Sequence, residues 1–489
     1  MKSLPAIVFA IGTLLVPALM PAQSGGVVRA TERLPRLKIS ENHRFLVTEV
    51  GNPFFWLGDT AWWIRGIRPA EVDRYLAHRA RHGFNVVQLH CGYDGSAAYP
   101  AADYAGNTPF LDKDPFRPNE RFWRSIDSIV EKAAAHGLYV ALAPMWGGEY
   151  GRAFGKDAEK AHRFGQWIGA RYARHSHVLW IVSGEYSEIN HFKHPVSEEQ
   201  KSVLNAAARD LRAAHSGAQL MTIHPGGGRS SSEDFHGQEW LDFNMLQSGH
   251  FIDSKAYATS ENHELVSADY VRQTVKPVLD GEPIYEDTPD AVWKVKHVNG
   301  PRADANAMRR KAYWSVFAGA FGHTYGHNDV YGFFEPKFPG EMLTLKTKPS
   351  GPGQRGNWRA ALDAPGALQM KHLRHLMESR PILTRIPDES LLAGDAGSGL
   401  DYAAATRDAR GSYAMVYIPR ARRVNVRLGK INGAKISAWW FDPRNGEAAK
   451  IGNFDRSRER EFAPPAEGDW VLILDGVSGT SGPGRKLRS

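Results

Sequence analysis

Arg81-His82-Gly83-Phe84-Asn85-Val86 and, 54 residues further on, Ala135-His136-Gly137-Leu138-Tyr139-Val140 repeat one grammar. A helical stretch stops on glycine, which accepts the left-handed conformation of a helix C-terminus, and an apolar run begins at once. The helix ahead of the first copy spans 69–82 and has proline in its opening turn. The helix ahead of the second, 119–136, has an Asn cap and sets Phe122, Ile126, Ile129, Val130 and Ala133 on one face. Two successive helix–Gly–strand units predict stacked βα units on a parallel sheet.

Working outward, short apolar runs fall at 54–58, 85–90, 138–144, 178–183, 219–224, 243–247, 277–281 and 318–325. Their length and near-continuous apolar character suit parallel strands covered on both faces. Further helices are expected at 157–175, 198–215, 268–274, 303–317 and 366–378. Eight strands with intervening helices predict an α/β fold, a (β/α)8 TIM barrel, preceded by a hairpin at Leu37-Lys38-Ile39 and Phe45-Leu46-Val47. A doubly wound open sheet competes, but no Gly-rich phosphate loop follows the first strand. After Arg380-Pro381 the pattern changes to short β-type runs at 413–418, 424–428, 436–441 and 470–474. The expected domains are therefore a barrel at 37–380, a small all-β sandwich at 382–475, and a Gly-, Ser- and Arg-containing tail at 476–489 expected to be disordered. Residues 1–22 read as a signal peptide: Met1-Lys2, an apolar run from Ala6 to Leu19, and small residues at Ala18 and Ala22. A secreted or periplasmic protein follows. Its lone Cys91 cannot form an internal disulfide and reads as a buried filler.

The 489 residues carry a net charge of +8, too mild to point to nucleic acid, and no later run is long enough to insert stably in a membrane. The 14 Trp and 17 Tyr are more telling, because flat amphipathic rings suit sugar faces as well as cores.

Catalytic side chains of a (β/α)8 barrel stand at the C-terminal ends of its strands. Here those ends read Gly58-Asp59-Thr60-Ala61-Trp62, Gln88-Leu89-His90-Cys91, Met145-Trp146-Gly147, Ser183-Gly184-Glu185, Ile223-His224-Pro225, Gln247-Ser248-Gly249-His250, Asp280-Gly281-Glu282 and Tyr325-Gly326-His327. Glu185 and Glu282 follow the fourth and seventh strands, on opposed sides of such a barrel. Glycoside hydrolysis needs a carboxyl pair of this kind, one protonating the leaving oxygen while the other attacks the anomeric carbon or activates water. Each Glu alone could equally be a salt-bridged rim residue. Asp59, Trp62, Gln88, His90, Trp146, His224, Gln247, His250 and Tyr285 are the candidates for contacting sugar; Asp59 could also cap the next turn, and the tryptophans could be packing. Glu286 and Asp287 are expected to crowd Glu282 and raise carboxylate pKa values, or else to face solvent. His90, His224 and His250 invite a metal reading, but the first strand lacks the His-x-His pair of barrel metallohydrolases, so hydrogen bonding to sugar or to Glu282 is expected of them, and no metal or cofactor.

The segments Phe54-Phe55-Trp56-Leu57-Gly58-Asp59-Thr60-Ala61-Trp62, Gln247-Ser248-Gly249-His250 and Gly281-Glu282-Pro283-Ile284-Tyr285-Glu286 resemble the apiosidase-like glycoside hydrolases, family 140 and its relatives. Trp439-Trp440-Phe441-Asp442-Pro443-Arg444-Asn445-Gly446 is similar to the module labelled a putative collagen-binding domain. The resemblance implies a retaining enzyme with Glu185 as acid/base and Glu282 as nucleophile, acting on an oligosaccharide or polysaccharide of plant or microbial origin. The sequence departs from the family's Gly-Gly-Asp at the fourth strand, where Ser183-Gly184-Glu185 carries the acid about 1.5 Å farther along its stem. The wider retaining clan usually has Asn before this Glu, so another residue must hold the sugar 2-hydroxyl here, and Asp59, Gln88 or His224 are the candidates. The alternative is a non-catalytic protein that binds a glycan or matrix polymer.

Overall fold

The structure is a computed structural model that describes residue 1 and residues 33–94, 101–295, 298–336, 353–456, 459–476 and 482–484. The expected signal segment beyond Met1 and most of the expected tail lie outside these residues, as do parts of the loops at 94–114 and 333–359.

A three-stranded antiparallel sheet opens the described chain: β1 (Leu37–Ile39), β2 (Leu46–Thr48) and β3 (Pro53–Phe54). The barrel strands are β4 (Trp56–Thr60), β5 (Val86–His90), β6 (Tyr139–Ala143), β7 (Val178–Ile181), β8 (Met221–Thr222), β10 (Asn244–Gln247), β11 (Val278–Asp280) and β12 (Gly322–Tyr325), with β9 (Arg229–Ser230) added antiparallel to β10. Their order, β8-β7-β6-β5-β4-β12-β11-β10-β9, is that of a (β/α)8 barrel whose ladder opens between β8 and β10. That seam is bridged without a ladder. Thr222 Oγ donates to Phe243 O at 2.8 Å, Met221 N to Asp242 Oδ2 at 2.8 Å, and Asp242 N to Met221 O at 2.9 Å.

Helices α1 (Pro69–Arg81), α2 (Glu120–Ala135), α3 (Gly147–Phe154), α4 (Ala158–Tyr172), α5 (Glu198–Ala214), α6 (Ser232–Phe235), α7 (Asn262–Tyr270), α8 (Val292–Val295), α9 (Ala305–Phe317), α10 (Trp358–Ala361) and α11 (Pro365–Glu378) alternate with the strands. The two opening motifs behave as read: Gly83 (φ +84°) and Gly137 (φ +74°) end α1 and α2 in left-handed turns. Asn119 caps α2 by accepting from Arg121 N. Two readings need correction. The helix expected at 268–274 is α7, which begins earlier because Glu261 N donates to Glu264 Oε2 at 2.9 Å and closes the first turn. The sequence also concealed α3 behind Gly147-Gly148; its first turn is held by Glu149, whose Oε2 accepts from Trp146 N at 2.8 Å.

The C-terminal domain is all β. One sheet has the order β13 (Arg385–Pro387), β14 (Ala404–Asp408), β15 (Tyr413–Ile418), β20 (Trp470–Asp475), β17 (Lys435–Phe441), β18 (Ala448–Asp455), and β16 (Val424–Arg427) pairs with β19 (Glu459–Phe462) as a second. Strand alternation gives the large sheet two buried faces. Ala414, Val416, Leu472 and Leu474 turn toward Val424, Val426 and Phe462, while Tyr413, Met415, Tyr417, Val471 and Ile473 join the barrel's own core around Trp314. Tyr313 stacks on Tyr417 with centroids 4.7 Å apart, a pairing worth about 0.5–1.5 kcal/mol beyond area burial. Two buried bidentate pairs staple the same interface, Arg309 to Asp469 at 2.8 and 2.6 Å and Arg380 to Asp475 at 2.8 Å on both oxygens. Cys91 is buried and free, and burial pushes its thiol up, so it behaves as a filler. No helix among the described residues is long and apolar enough to cross a membrane.

Candidate active site

The C-terminal ends of the barrel strands surround a cavity of about 540 Å³ that takes Trp62, Trp146, Glu185, Gln247, His250, Glu282 and Tyr285 into its wall. The two glutamates therefore meet over one space, although 97 residues separate them in the chain.

Glu282 follows β11 through Gly281, where a Cβ would meet Met245 at 2.7 Å. The glycine lets this strand end lie against its neighbour. Both Glu282 oxygens are saturated by groups from other strand ends. Trp62 Nε1 donates to Oε2 at 3.3 Å and Gln247 Nε2 to Oε1 at 3.2 Å. His224 Nε2 lies 3.2 Å from Oε2 and His250 Nε2 lies 3.3 Å from Oε1. Burial pushes this carboxyl upward, but the hydrogen bonds and charge of His224 and His250 outweigh it and hold it well below the usual carboxylate range. Trp62 Nε1 is shared with Tyr285 Oη at 3.1 Å, which fixes the indole over the carboxylate.

Glu185 is treated in the opposite way. It sits in the left-handed region (φ +34°, ψ +56°), a strained backbone for a side chain of this kind and one that clusters at functional sites. Part of it stays open to the cavity. Its carboxyl is pushed up to about 8 by desolvation, then by the negative charges of Glu282 and Glu188, with the Gln247 amide drawing it back a little. The strand end that carries it is locked from behind. Gly147 N donates to Gly184 O at 2.9 Å and Gly184 N to Met145 O at 3.1 Å, while the Trp146 ring lies where a Gly184 Cβ would come within 1.9 Å. The space that an Asn side chain would fill before this Glu is therefore occupied by indole.

Trp146 is boxed edge-on by Trp62 at 4.9 Å, tilted against His90 at 4.4 Å and stacked parallel to His224 at 6.5 Å. One face of the cavity is thus a fixed aromatic wall.

The structure brings Trp62, Trp146, Gln247, His250 and Tyr285 to the cavity and takes four other expected sugar contacts away from it. Asp59 is fully buried and ion-paired to Arg79 Nε at 2.6 Å with Tyr75 Oη at 2.5 Å, so it ties β4 to α1. It neither caps the next turn nor reaches sugar. Gln88, equally buried, donates to Gly281 O at 2.9 Å and braces the strand end that carries Glu282. His90 turns to Glu149 at 2.7 Å, and His224 spends its contact on Glu282. None of the four lines the cavity. Glu286 and Asp287 do not crowd Glu282 either. Glu286 accepts from Tyr325 Oη at 2.6 Å and from Gly366 N at 3.0 Å, and Asp287 pairs with Arg302 and Arg355. With His224 and His250 on one carboxylate and His90 on another, the three histidines do not converge on a common point.

Asn328, at the eighth strand end, also lines the cavity, and sequence reading missed Tyr331 beyond β12 and the rim aromatics Phe192 and Trp293, both about half exposed beside the cavity. An aromatic in a loop or in a single helical turn such as α8 carries no periodic signal; only its solvent exposure in the fold marks it.

Comparison with known proteins agrees with this geometry. Residues 40–384 match the family model "Apiosidase-like, catalytic domain", and residues 386–475 match "Putative collagen-binding domain of a collagenase". A solved structure described as a glycoside hydrolase is 32% identical, covers 91% of this chain and 97% of its own, and superposes with a TM-score of 0.79. A glycoside hydrolase family 5 protein from Bacteroides vulgatus is 33% identical over 90% of this chain and 93% of its own, with a TM-score of 0.78. A second B. vulgatus protein, a putative glycoside hydrolase, shares the fold with a TM-score of 0.65 at 13% identity, covering 91% of this chain and 83% of its own. No curated protein sequence matches the chain. With a catalytic-domain match over most of its length and glycoside hydrolases as its structural neighbours, this chain is a glycoside hydrolase and belongs to the apiosidase-like family.

Proposed function

We propose that the chain is a retaining glycosidase of the cell exterior or periplasm that cleaves a plant or microbial oligosaccharide or polysaccharide, with Glu282 as nucleophile and Glu185 as acid/base. The observation that carries this reading is the unlike surroundings of two glutamates that line one cavity: Glu282 meets nitrogens of Trp62, Gln247, His224 and His250, while burial and the charges of Glu282 and Glu188 push the Glu185 carboxyl up. Glu282 attacks the anomeric carbon as the glycosidic C–O bond breaks, and the Glu185 proton passes to the departing oxygen. Water then gives a proton to Glu185 and attacks the same carbon, which frees Glu282 and releases the sugar with its configuration retained. Gln247 Nε2 donates to Glu282 Oε1 at 3.2 Å and the same amide draws the Glu185 carboxyl down a little, so one side chain serves both carboxyls. The export proposal rests on the basic, apolar and small-residue pattern at 1–22.

The test is Glu282→Gln against a panel of defined oligosaccharides, pectic fragments included. Turnover should vanish while the thermal unfolding profile is kept. Azide should restore Glu282→Gly, giving a glycosyl azide of inverted configuration, and NMR of wild-type product should show retention. Near-native activity in Glu282→Gln, or inverted wild-type product, rejects the assignment. N-terminal sequencing of the protein recovered outside the cytoplasm checks cleavage near Ala22.

A further inference from the structure

On the outer layer of the barrel, away from the cavity, His78, His82 and Asp363 converge. One ligand atom from each lies within 4.8 Å of the other two. His78 and His82 stand four residues apart on α1, and His82 N donates to His78 O at 3.1 Å, so the helical turn persists and both imidazoles project from one face. Their ring centroids are 4.4 Å apart. Asp363, in the turn between α10 and α11, reaches His78 Nε2 at 2.9 Å. That turn does not float. Arg79 Nη1 donates to Leu362 O at 2.9 Å, and Arg374 Nη1 of α11 donates to Gly83 O at 2.7 Å, so both sides of the cluster are fixed by independent bonds. His78 Nδ1 is buried with no hydrogen-bond partner, and Asp363 is mostly exposed, which leaves the cluster approachable from solvent.

We propose that His78, His82 and Asp363 form a binding site for a divalent transition-metal ion, zinc in the first instance, that clips α1 to the turn before α11. Two imidazoles and one carboxylate are the donor set of zinc; calcium and magnesium take oxygen ligands almost exclusively. An i, i+4 histidine pair on a helix is the spacing that lets two imidazoles grip one ion. Tetrahedral zinc with bonds of about 2.0–2.1 Å sets its ligands about 3.4 Å apart, so the cluster needs a contraction of up to about 1.4 Å and leaves the fourth position to water. None of the three residues lines the cavity, so the ion acts on stability and takes no part in glycosidic cleavage. Lys371 lies near His82 and opposes a cation, which keeps the affinity moderate.

The experiment is calorimetric titration of the full, untagged chain with zinc chloride, paired with thermal unfolding with and without the metal. One zinc per chain should bind and raise Tm by mass action. His82→Ala and Asp363→Ala, both at solvent-accessible side chains, should each weaken that binding at least about tenfold and remove the zinc-dependent rise in Tm, while melting like wild type without metal. His136→Ala, which disturbs a different histidine–aspartate contact, should leave the titration unchanged. Zinc binding that survives in both His82→Ala and Asp363→Ala, or an absence of saturable binding to wild type at submillimolar zinc, overturns the proposal.

Discussion

Replacing Gly184 by alanine adds one methyl group at a crowded point behind Glu185. The new Cβ would lie 1.9 Å from Trp146 Cε3 and Cζ3 and 2.5 Å from Cδ2. Carbon atoms in contact sit about 3.5–4.0 Å apart, so the indole must retreat by roughly 1.5–2 Å. It has little room, since Trp62 and His90 press on it at centroid distances of 4.9 and 4.4 Å and the Trp146 backbone is tied to Glu149. Overpacking of this kind costs about 1–3 kcal/mol. Because the same ring lines the cavity, a shift of that size should also lower kcat/KM by about a hundredfold. Urea unfolding gives the stability change, and initial rates on whichever oligosaccharide proves to be substrate give the catalytic one. The decisive control is background dependence. In a Trp146→Leu chain the obstacle is gone, so Gly184→Ala should cost less than about 0.5 kcal/mol there, and the difference is the coupling between the two positions. An equal cost in both backgrounds, or none in the wild type, refutes the claim that the indole occupies the space beside Glu185.

The raised Glu185 carboxyl makes a stability prediction of definite sign. Its folded pKa, about 8, stands above its ordinary value of 4.5, so folding takes up a proton and the associated stability is lost as pH rises through the folded value. Glu185→Gln removes that loss, and its Tm relative to wild type should therefore climb between about pH 5 and pH 9; a flat difference contradicts the raised value. In the wild-type rate profile, kcat/KM should fall on the alkaline side as Glu185 ionises. At the domain interface, Asp475→Ala leaves Arg380 buried without its partner and should destabilise by about 3–5 kcal/mol in urea unfolding, whereas replacing both residues by apolar ones of similar volume should cost much less.

Much of this fold could be read from residues alone, because the βα repeat is written in local chemistry. Gly83 and Gly137 are helix stops in the sequence and left-handed turns in the structure. Seven of the eight strand runs contain an observed barrel strand and the first, 54–58, overlaps β4, although β8 shrinks to Met221–Thr222, where the seam is held by Asp242 instead of by a ladder. What failed locally was α7, displaced because Glu261 is drawn into a buried pairing with Lys311, and α3, whose two leading glycines look like loop until Glu149 is seen tying the first turn. Within the site, strand-end position located Glu185 and Glu282, Trp62 and Trp146. It misjudged Asp59 and Gln88, since position along a strand does not say which partner waits behind it: Arg79 for one, the Gly281 carbonyl for the other. For His224 the strand-end position left sugar or Glu282 as the neighbour, and the structure puts it beside Glu282.

The roles proposed for the two glutamates would follow even without the family motif. Glu282 is met by donors from three strand ends: Trp62 after β4, His224 after β8, Gln247 and His250 at and beyond β10. No segment of a single chain direction could supply these; a barrel mouth can, because its strand ends converge. Protonating Glu282 would waste those donors on a neutral acid. Glu185 faces Glu188 and Glu282 beside an indole wall, so ionising it would place negative charges together in a partly dry cavity. Exchanging the roles would require an ionised Glu185 and a protonated Glu282, and both changes run uphill. The two protonation states also support each other. The charge on Glu282 raises Glu185, and a neutral Glu185 spares Glu282 a like-charge neighbour, so one proton shared between two sites settles where the donors are not. Stripping donors from Glu282, as in a combined His224→Phe and His250→Phe chain, should therefore raise its own pKa, while Glu185 still titrates against an ionised Glu282 and keeps its value, so the acidic limb of the rate profile moves toward the alkaline one. Limbs that keep their separation in that variant would mean that the histidines do not set the proton's place.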